Sequence, residues 1–175
     1  MLINLTDVLT SEGKTEEQQV PIEMTDFSNG LEKYLILEKS LVDLKFSNIK
    51  KGKAQIDGKA KVVLKMSCDR CLKEVGEVIP LNFSRTVLAP DEITEGTDEE
   101  GDQTFMDGYQ LNVEDLINDE ILLGLPTKVL CKEDCKGICK QCGKNLNEGE
   151  CGCDTFVPDP RMAVIKDIFN ANKEV

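Results

Sequence analysis

Histidine and tryptophan are absent from this chain, and tyrosine occurs only twice. Without histidine there is no side chain whose ordinary pKa suits general base work near neutral pH, which excludes Ser-His and Cys-His nucleophile schemes. Open catalytic zinc sites also usually draw on histidine. With six phenylalanines and no tryptophan, little aromatic surface is left for stacking bases. No apolar run approaches the length needed to span a membrane. Basic charge is in short supply as well: 21 Lys and Arg face 33 Asp and Glu, for a formal net charge of -12. Such a surface repels phosphate at long range and attracts basic proteins, which disfavours non-specific RNA binding. No phosphate loop or other catalytic signature singles out any pair among the carboxylates. Met1 to Leu9 has no basic stretch, and Asn4, Thr6 and Asp7 interrupt its apolar residues. The expectation is a cytoplasmic protein without a signal peptide, in which thiols stay reduced.

What the chain does have is cysteine. Six of the eight are clustered, at Cys131, Cys135, Cys139, Cys142, Cys151 and Cys153, and the other two form a separate Cys68-x2-Cys71 pair. Eight thiols make two complete sets of four, and a tetrahedral zinc ion closed by four thiolates is the commonest structural use of such spacings. Disulfides are the rival for an even count, but a reducing compartment opposes them. Cys139-Lys140-Gln141-Cys142-Gly143 is a zinc-knuckle pattern, in which two residues between thiolates let both sulfurs face one ion and the glycine tolerates the tight backbone that follows. Cys151-Gly152-Cys153 completes that site across a short loop rich in turn formers. The remaining ligands, Cys68, Cys71, Cys131 and Cys135, define a second site. A thioredoxin-like role for Cys68-x2-Cys71 would need the motif at a helix N-terminus, whereas here it follows an alternating strand.

That strand is the clearest local signal. From 54 to 66, Ile56, Gly58, Ala60, Val62, Leu64 and Met66 share one face while Asp57, Lys59, Lys61 and Lys65 share the other. Val42, Leu44 and Phe46 keep the same period upstream, with Lys50-Lys51-Gly52-Lys53 as the turn. Val78 to Leu88 alternates again, which puts the first cysteine pair at a hairpin tip. Leu2 to Leu9 reads as a further strand, followed by a polar loop through Ser11 to Lys14 and the Glu16-Glu17-Gln18-Gln19 run. In 91–102 every charged residue is acidic, as expected of a solvated loop. Asn112 is a candidate N-cap, Leu111 can staple onto Leu116, and the helix should end at Gly124-Leu125-Pro126. A closing helix is expected from Asp159, with Pro160 first and Met162, Ile165, Ile168 and Phe169 on one side.

The fold class implied is α+β: an antiparallel sheet with a few helices and a C-terminal Cys-rich zinc module. The division expected is 1–127 for the sheet domain, with the acidic loop 91–102 and the helix 112–124, and 128–175 for the zinc module and closing helix. Lys128, Lys132, Lys136, Lys140 and Lys144 recur every four residues through the cysteine segment. They either offset thiolate charge or, with Arg161, form a contact surface for a partner or RNA.

The strings Cys68-Asp69-Arg70-Cys71-Leu72, Leu125-Pro126, Cys135-Lys136-Gly137-Ile138-Cys139, Cys142-Gly143, Asn145-Leu146-Asn147, Cys151-Gly152-Cys153 and Asp159-Pro160-Arg161 together resemble the bacterial YceD family. The resemblance implies a protein needed for accumulation of large-subunit (23S) ribosomal RNA, encoded by genes that often lie beside one for a small ribosomal protein of that subunit. It brings no catalytic residue. Family members differ in how many of the C-terminal cysteines they carry, so metal binding rests on the residues themselves. The combined expectation is a non-catalytic ribosome-biogenesis factor that binds a ribosomal protein or the pre-ribosomal large subunit and holds zinc. A direct RNA-binding zinc protein and a thiol redox or zinc-delivery protein are the alternatives.

Overall fold

The alternating segment around Ile56 becomes a 15-residue strand at the centre of the large sheet, matched in length by the strand that follows it. In the computed structural model, which describes residues 1–92 and 103–153, the chain divides into two compact units. One comprises Met1–Ser67 with Glu74–Val129, and the other comprises Cys68–Lys73 with the chain from Leu130 onward. The first unit runs β1 (Leu2–Asn4), α1 (Thr6–Thr10), β2 (Thr15–Val20), β3 (Asp26–Ser28), β4 (Lys33–Lys39), β5 (Val42–Lys50), β6 (Lys53–Ser67), β7 (Glu74–Leu88), a 3-10 turn at Pro90–Glu92, β8 (Met106–Asp107), β9 (Gln110–Asn112) and α2 (Val113–Gly124).

β6 pairs antiparallel with β7 along its whole length, from Lys53 opposite Leu88 to Ser67 opposite Glu74. Its other edge is shared: β5 takes the first part, from Lys50 opposite Lys53 to Asp43 opposite Lys59, and β4 takes the part around Val62 to Leu64. β2 adds outside β5 and β3 outside β4, giving a six-stranded antiparallel sheet. β1, β9 and β8 form a separate three-stranded sheet. The reversal between β5 and β6 uses Gly52 at φ 75, a left-handed conformation that costs glycine nothing.

One face of the large sheet is buried. Phe46, Ile56, Leu64 and Ile79 are fully covered, as are Leu116, Ile117 and Ile121 of α2, and burial of such side chains stabilises by roughly 1.5–3 kcal/mol each. α2 packs against β7 and β9. Its start matches the sequence expectation: the Asn112 side chain accepts the Glu114 amide hydrogen at 3.1 Å, Leu111 and Leu116 are buried together, and the helix ends at Gly124. Glu120, largely buried, accepts from Arg85 Nε of β7 at 2.6 Å.

Two expectations near the N-terminus are corrected. Leu2 to Leu9 is not one strand, because the chain turns at Asn4, whose Oδ1 accepts the Thr6 amide hydrogen at 2.8 Å, and α1 begins. Leu5, Val8 and Leu9 are thereby buried, α1 packs on β5 and β6, and the Val8 and Leu9 carbonyls accept from Asn48 and Gly52. The Glu16 to Gln19 run is likewise strand β2 rather than loop. Only Val20 of β2 is buried, and pairing comes from β5, reinforced by Glu17 with Lys45 at 3.2 Å and Gln19 with Asp43 at 2.5 Å. Most of the acidic loop (93–102) and the expected closing helix from Asp159 lie outside the described residues.

Candidate metal centre

The β6–β7 hairpin reverses over Cys68–Lys73, and the geometry of that reversal recurs in the other cysteine pair. Cys68 N–H donates to Lys73 O at 2.8 Å and Leu72 N–H donates to Cys68 O at 2.9 Å. Seventy-one residues later, Cys139 N–H donates to Lys144 O at 2.8 Å and Gly143 N–H donates to Cys139 O at 2.9 Å. In each case the residue after the second cysteine is left-handed, Gly143 at φ 74 and Leu72 at φ 60. Glycine adopts that conformation freely, whereas for leucine it costs roughly 1–2 kcal/mol. Both Cys-x2-Cys pairs are therefore the same knuckle, and this backbone aims amide hydrogens at the first sulfur of each.

Around the first knuckle the chain returns through Cys131 and Cys135. Arg70 Nη1 donates to Cys135 O at 2.8 Å, and Arg70 O accepts the Ile138 amide hydrogen at 3.1 Å. Gly137, at φ 79, passes so close that a Cβ there would stand 3.0 Å from Arg70 O. Cys68 Sγ lies 3.8 Å from Cys135 Sγ and Cys71 Sγ lies 3.5 Å from Cys131 Sγ. All four sulfurs lie within 4.8 Å of one another, and so do those of Cys139, Cys142, Cys151 and Cys153. Sulfurs bound at ~2.3 Å around one tetrahedral ion stand about 3.8 Å apart, so both quartets have the right span for a metal ion. Four thiols per site also form a closed ligand set, with no protein-free position for substrate.

The quartets differ in exposure. Cys68, Cys71 and Cys135 are buried and Cys131 is half-buried, whereas in the second set only Cys139 is buried and Cys142 is exposed. Ionisation is uneven within each. Burial pushes the Cys68 thiol up, but the amides of Cys131, Cys71 and Arg70, with the Cys71 thiol, bring it down to about 6. The amides of Cys142 and Gln141, with the Cys151 thiol, hold Cys139 at about 6 against burial. Cys131 and Cys153 move the other way: Cys71 hydrogen-bonded to Cys131 raises the latter to about 12, and Cys142 and Cys151 raise Cys153 to about 12, whereas burial raises Cys135 but hydrogen bonds from Asn147 and the Gly137 amide bring it below the ordinary thiol value. The first sulfur of each knuckle is thus among the readiest in its quartet to ionise near neutral pH, with its hydrogen bonds already in place.

The structure brings together all eight cysteines singled out in the sequence, in the two sets their spacing suggests. The lysines are scattered by comparison. Lys128 belongs to the sheet-bearing unit, while Lys132, Lys136, Lys140 and Lys144 are exposed in the cysteine-bearing one. Lys132 approaches Asp134 at 3.7 Å, and Lys144 Nζ donates to Glu150 O at 3.1 Å. Arg161 lies outside the described residues. Sequence reasoning assigned no role to Arg70, Gly137 or Asn147, which touch the ligands or their backbone. Only the Asn145-Leu146-Asn147 string hinted at the last of these.

Fold and site together define an α+β protein whose cysteines gather into two thiol quartets, each able to hold a metal ion. The chain belongs to the YceD family: the family model described as "Large ribosomal RNA subunit accumulation protein YceD" matches residues 56–169. It is 32% identical over 130 residues to the chloroplastic "Large ribosomal RNA subunit accumulation protein YCED homolog 1" of Arabidopsis thaliana, covering 59% of this chain and 40% of that protein. The maize homolog of the same description is 29% identical over 133 residues, covering 59% of this chain and 45% of the relative. An uncharacterized protein of Mycobacterium bovis is 28% identical over 147 residues, covering 83% of this chain and 70% of its own length. The chain therefore spans less than half the length of the plant relatives. No solved structure matches it. Among the described residues, no helix is long and apolar enough to cross a membrane.

Proposed function

We propose that this protein is a non-catalytic accessory factor for accumulation of large-subunit (23S) ribosomal RNA, acting in the cytoplasm with two zinc ions as structural parts. Family membership, with its description as a ribosomal RNA accumulation protein, is the observation that supports the role most strongly. Zinc is supported by the chemistry of the donors, since quartets of thiolates at tetrahedral spacing suit that ion best among common cellular metals. Cys68, Cys71, Cys131 and Cys135 would hold one ion, and Cys139, Cys142, Cys151 and Cys153 the other. Bound zinc supplies fixed geometry rather than reactivity, because its four positions are filled by protein. The zinc module of 128–175, with the Cys68–Lys73 knuckle, would then take its shape from the metal, and the rest of 1–127 would form the sheet domain.

Charge points to the kind of partner. A chain of net charge -12 becomes more negative when four thiolates surround each doubly charged ion. A basic ribosomal protein of the large subunit, free or in a precursor particle, matches that surface better than naked RNA does. Lys132, Lys136, Lys140 and Lys144 would mainly offset thiolate charge within the module.

Depletion of the protein from its host tests this reading. Mature large-subunit ribosomal RNA should fall relative to small-subunit RNA, and the purified protein should show no nuclease activity. An unchanged ratio after complete depletion removes the ribosomal role, and tight binding to naked RNA at physiological salt would make direct RNA binding the mode of action.

A further inference from the structure

Asn147 sits in the loop that closes the second quartet, yet its side chain is spent on the first. Its Nδ2 donates to Cys135 Sγ at 3.3 Å, and its Oδ1 accepts the Lys136 amide hydrogen at 2.9 Å. The second bond fixes which end of the amide faces sulfur, because only the oxygen can accept from Lys136. The carboxamide is itself braced: Asn147 N–H and Nδ2 both donate to Asn145 Oδ1, at 3.0 and 2.8 Å. Between the two quartets the chain has only Lys136, Gly137 and Ile138, and this segment is zipped to the same loop. Ile138 bridges Asn145, and Leu146 N–H donates to Gly137 O at 2.9 Å. The loop in turn is anchored at both ends by second-site cysteines, Cys142 before it and Cys151 after it.

We infer that Asn147 is a positioning residue that couples the two metal centres, so that filling the 139–153 site strengthens the 68–135 site. The inference rests on the metal-binding reading above. A metal ion on Cys139, Cys142, Cys151 and Cys153 closes the loop; the closed loop holds Asn147; and Asn147 delivers an N–H to the Cys135 thiolate. A donor to a ligating sulfur offsets its charge and fixes its direction, and loss of such outer partners typically lowers metal affinity about 10–100-fold. The coupling is reciprocal, as linkage requires, so filling the 68–135 site strengthens the 139–153 site by the same factor.

The test uses the full chain loaded with cadmium-113, whose resonance reports each thiolate site separately, together with competition against a chelator. Asn147→Asp is the informative variant: it keeps the oxygen that accepts from Lys136 and turns the Nδ2 donor, shared between Cys135 and Asn145, into an acceptor. The 68–135 resonance should shift and that site should lose affinity by about 10–100-fold, while the 139–153 resonance stays in place. Emptying the second site with Cys153→Ser should weaken the first by a similar factor in the wild-type background, and add little in the Asn147→Asp background. Two resonances in the wild type with neither the shift nor the coupling in Asn147→Asp would overturn the inference and leave the metal reading standing. Fewer than two bound ions in the wild type would overturn both. Asn147→Ala serves as a check, since a role confined to loop folding would disturb the 139–153 resonance as strongly as the other.

Discussion

Leu72 is the residue at which a general rule is broken for the sake of the site. It is the described residue other than glycine with positive φ, at 60°, and its side chain is largely exposed. Nothing in its packing offsets the left-handed backbone, so the conformation is held by the knuckle hydrogen bonds around Cys68. Leu72→Gly should therefore be tolerated and should stabilise the metal-bearing unit by up to about 1 kcal/mol, the relief of strain being partly cancelled by the greater freedom of glycine in the unfolded chain. Thermal unfolding of the metal-loaded protein measures this, and a loss of stability would show that the leucine makes a contact that matters. At Glu120 the packing depends on an ion pair instead. Arg85→Ala leaves a largely buried carboxylate without its cation, at a cost of about 2–3 kcal/mol, below the range for fully buried pairs because Arg85 is partly exposed. Chemical denaturation reads that loss directly. The cysteines carry a pH dependence of known sign. Cys68 and Cys139 have pKa values lowered to about 6, so their thiolates stabilise the folded unit fully above the ordinary thiol range and lose that contribution as pH falls through about 6. Zinc held by these thiolates should be bound more weakly as pH falls, because protons compete with the ion for the same sulfurs. A chromogenic chelator follows the loss, and an affinity independent of pH would contradict the ligand assignment.

Among the elements, those legible in the sequence were the ones whose side-chain pattern coincides with their burial. β6 and β7 alternate because one face of each lies on the core, and α2 announces itself through Asn112, the Leu111–Leu116 pair and the Gly124-Leu125-Pro126 stop. α1 was illegible because it is too short to show a helical period, and Leu5, Val8 and Leu9 suit either a strand or a helix until the core decides. β2 was illegible for the opposite reason: an edge strand with almost no buried side chains carries no hydrophobic signal, and only its pairing with β5 makes it a strand. The 139–153 cysteine set was legible because metal-ligand spacing is a local property, and the 68–135 set followed as the four cysteines left over. Their supports were not, since Arg70 and Asn147 act on ligands far away in sequence. One element tests how tightly the sheet is assembled. Gly58 of β6 faces Phe83 of β7, whose ring lies 2.0 Å from where a Cβ would stand. Gly58→Ala must displace that ring, at a cost of about 1–3 kcal/mol. Denaturant unfolding measures it, and an unchanged midpoint would mean the ring moves aside freely.

For the whole molecule, the division into a sheet-bearing unit and a cysteine-bearing unit implies two sources of stability. The first is held by a buried apolar face. Among the described residues, the second has Cys68, Cys71 and Cys135, with Leu130 and Cys131, as its small cluster around the first knuckle, where a structural zinc would contribute on the order of 10 kcal/mol. The measurement that tests the account most directly is native mass spectrometry of the full chain, purified under reducing conditions without chelator. Two zinc ions on a chain with all eight thiols reduced are predicted. A metal-free chain carrying disulfides would contradict the central claim, and a single ion would leave one quartet without its assigned role.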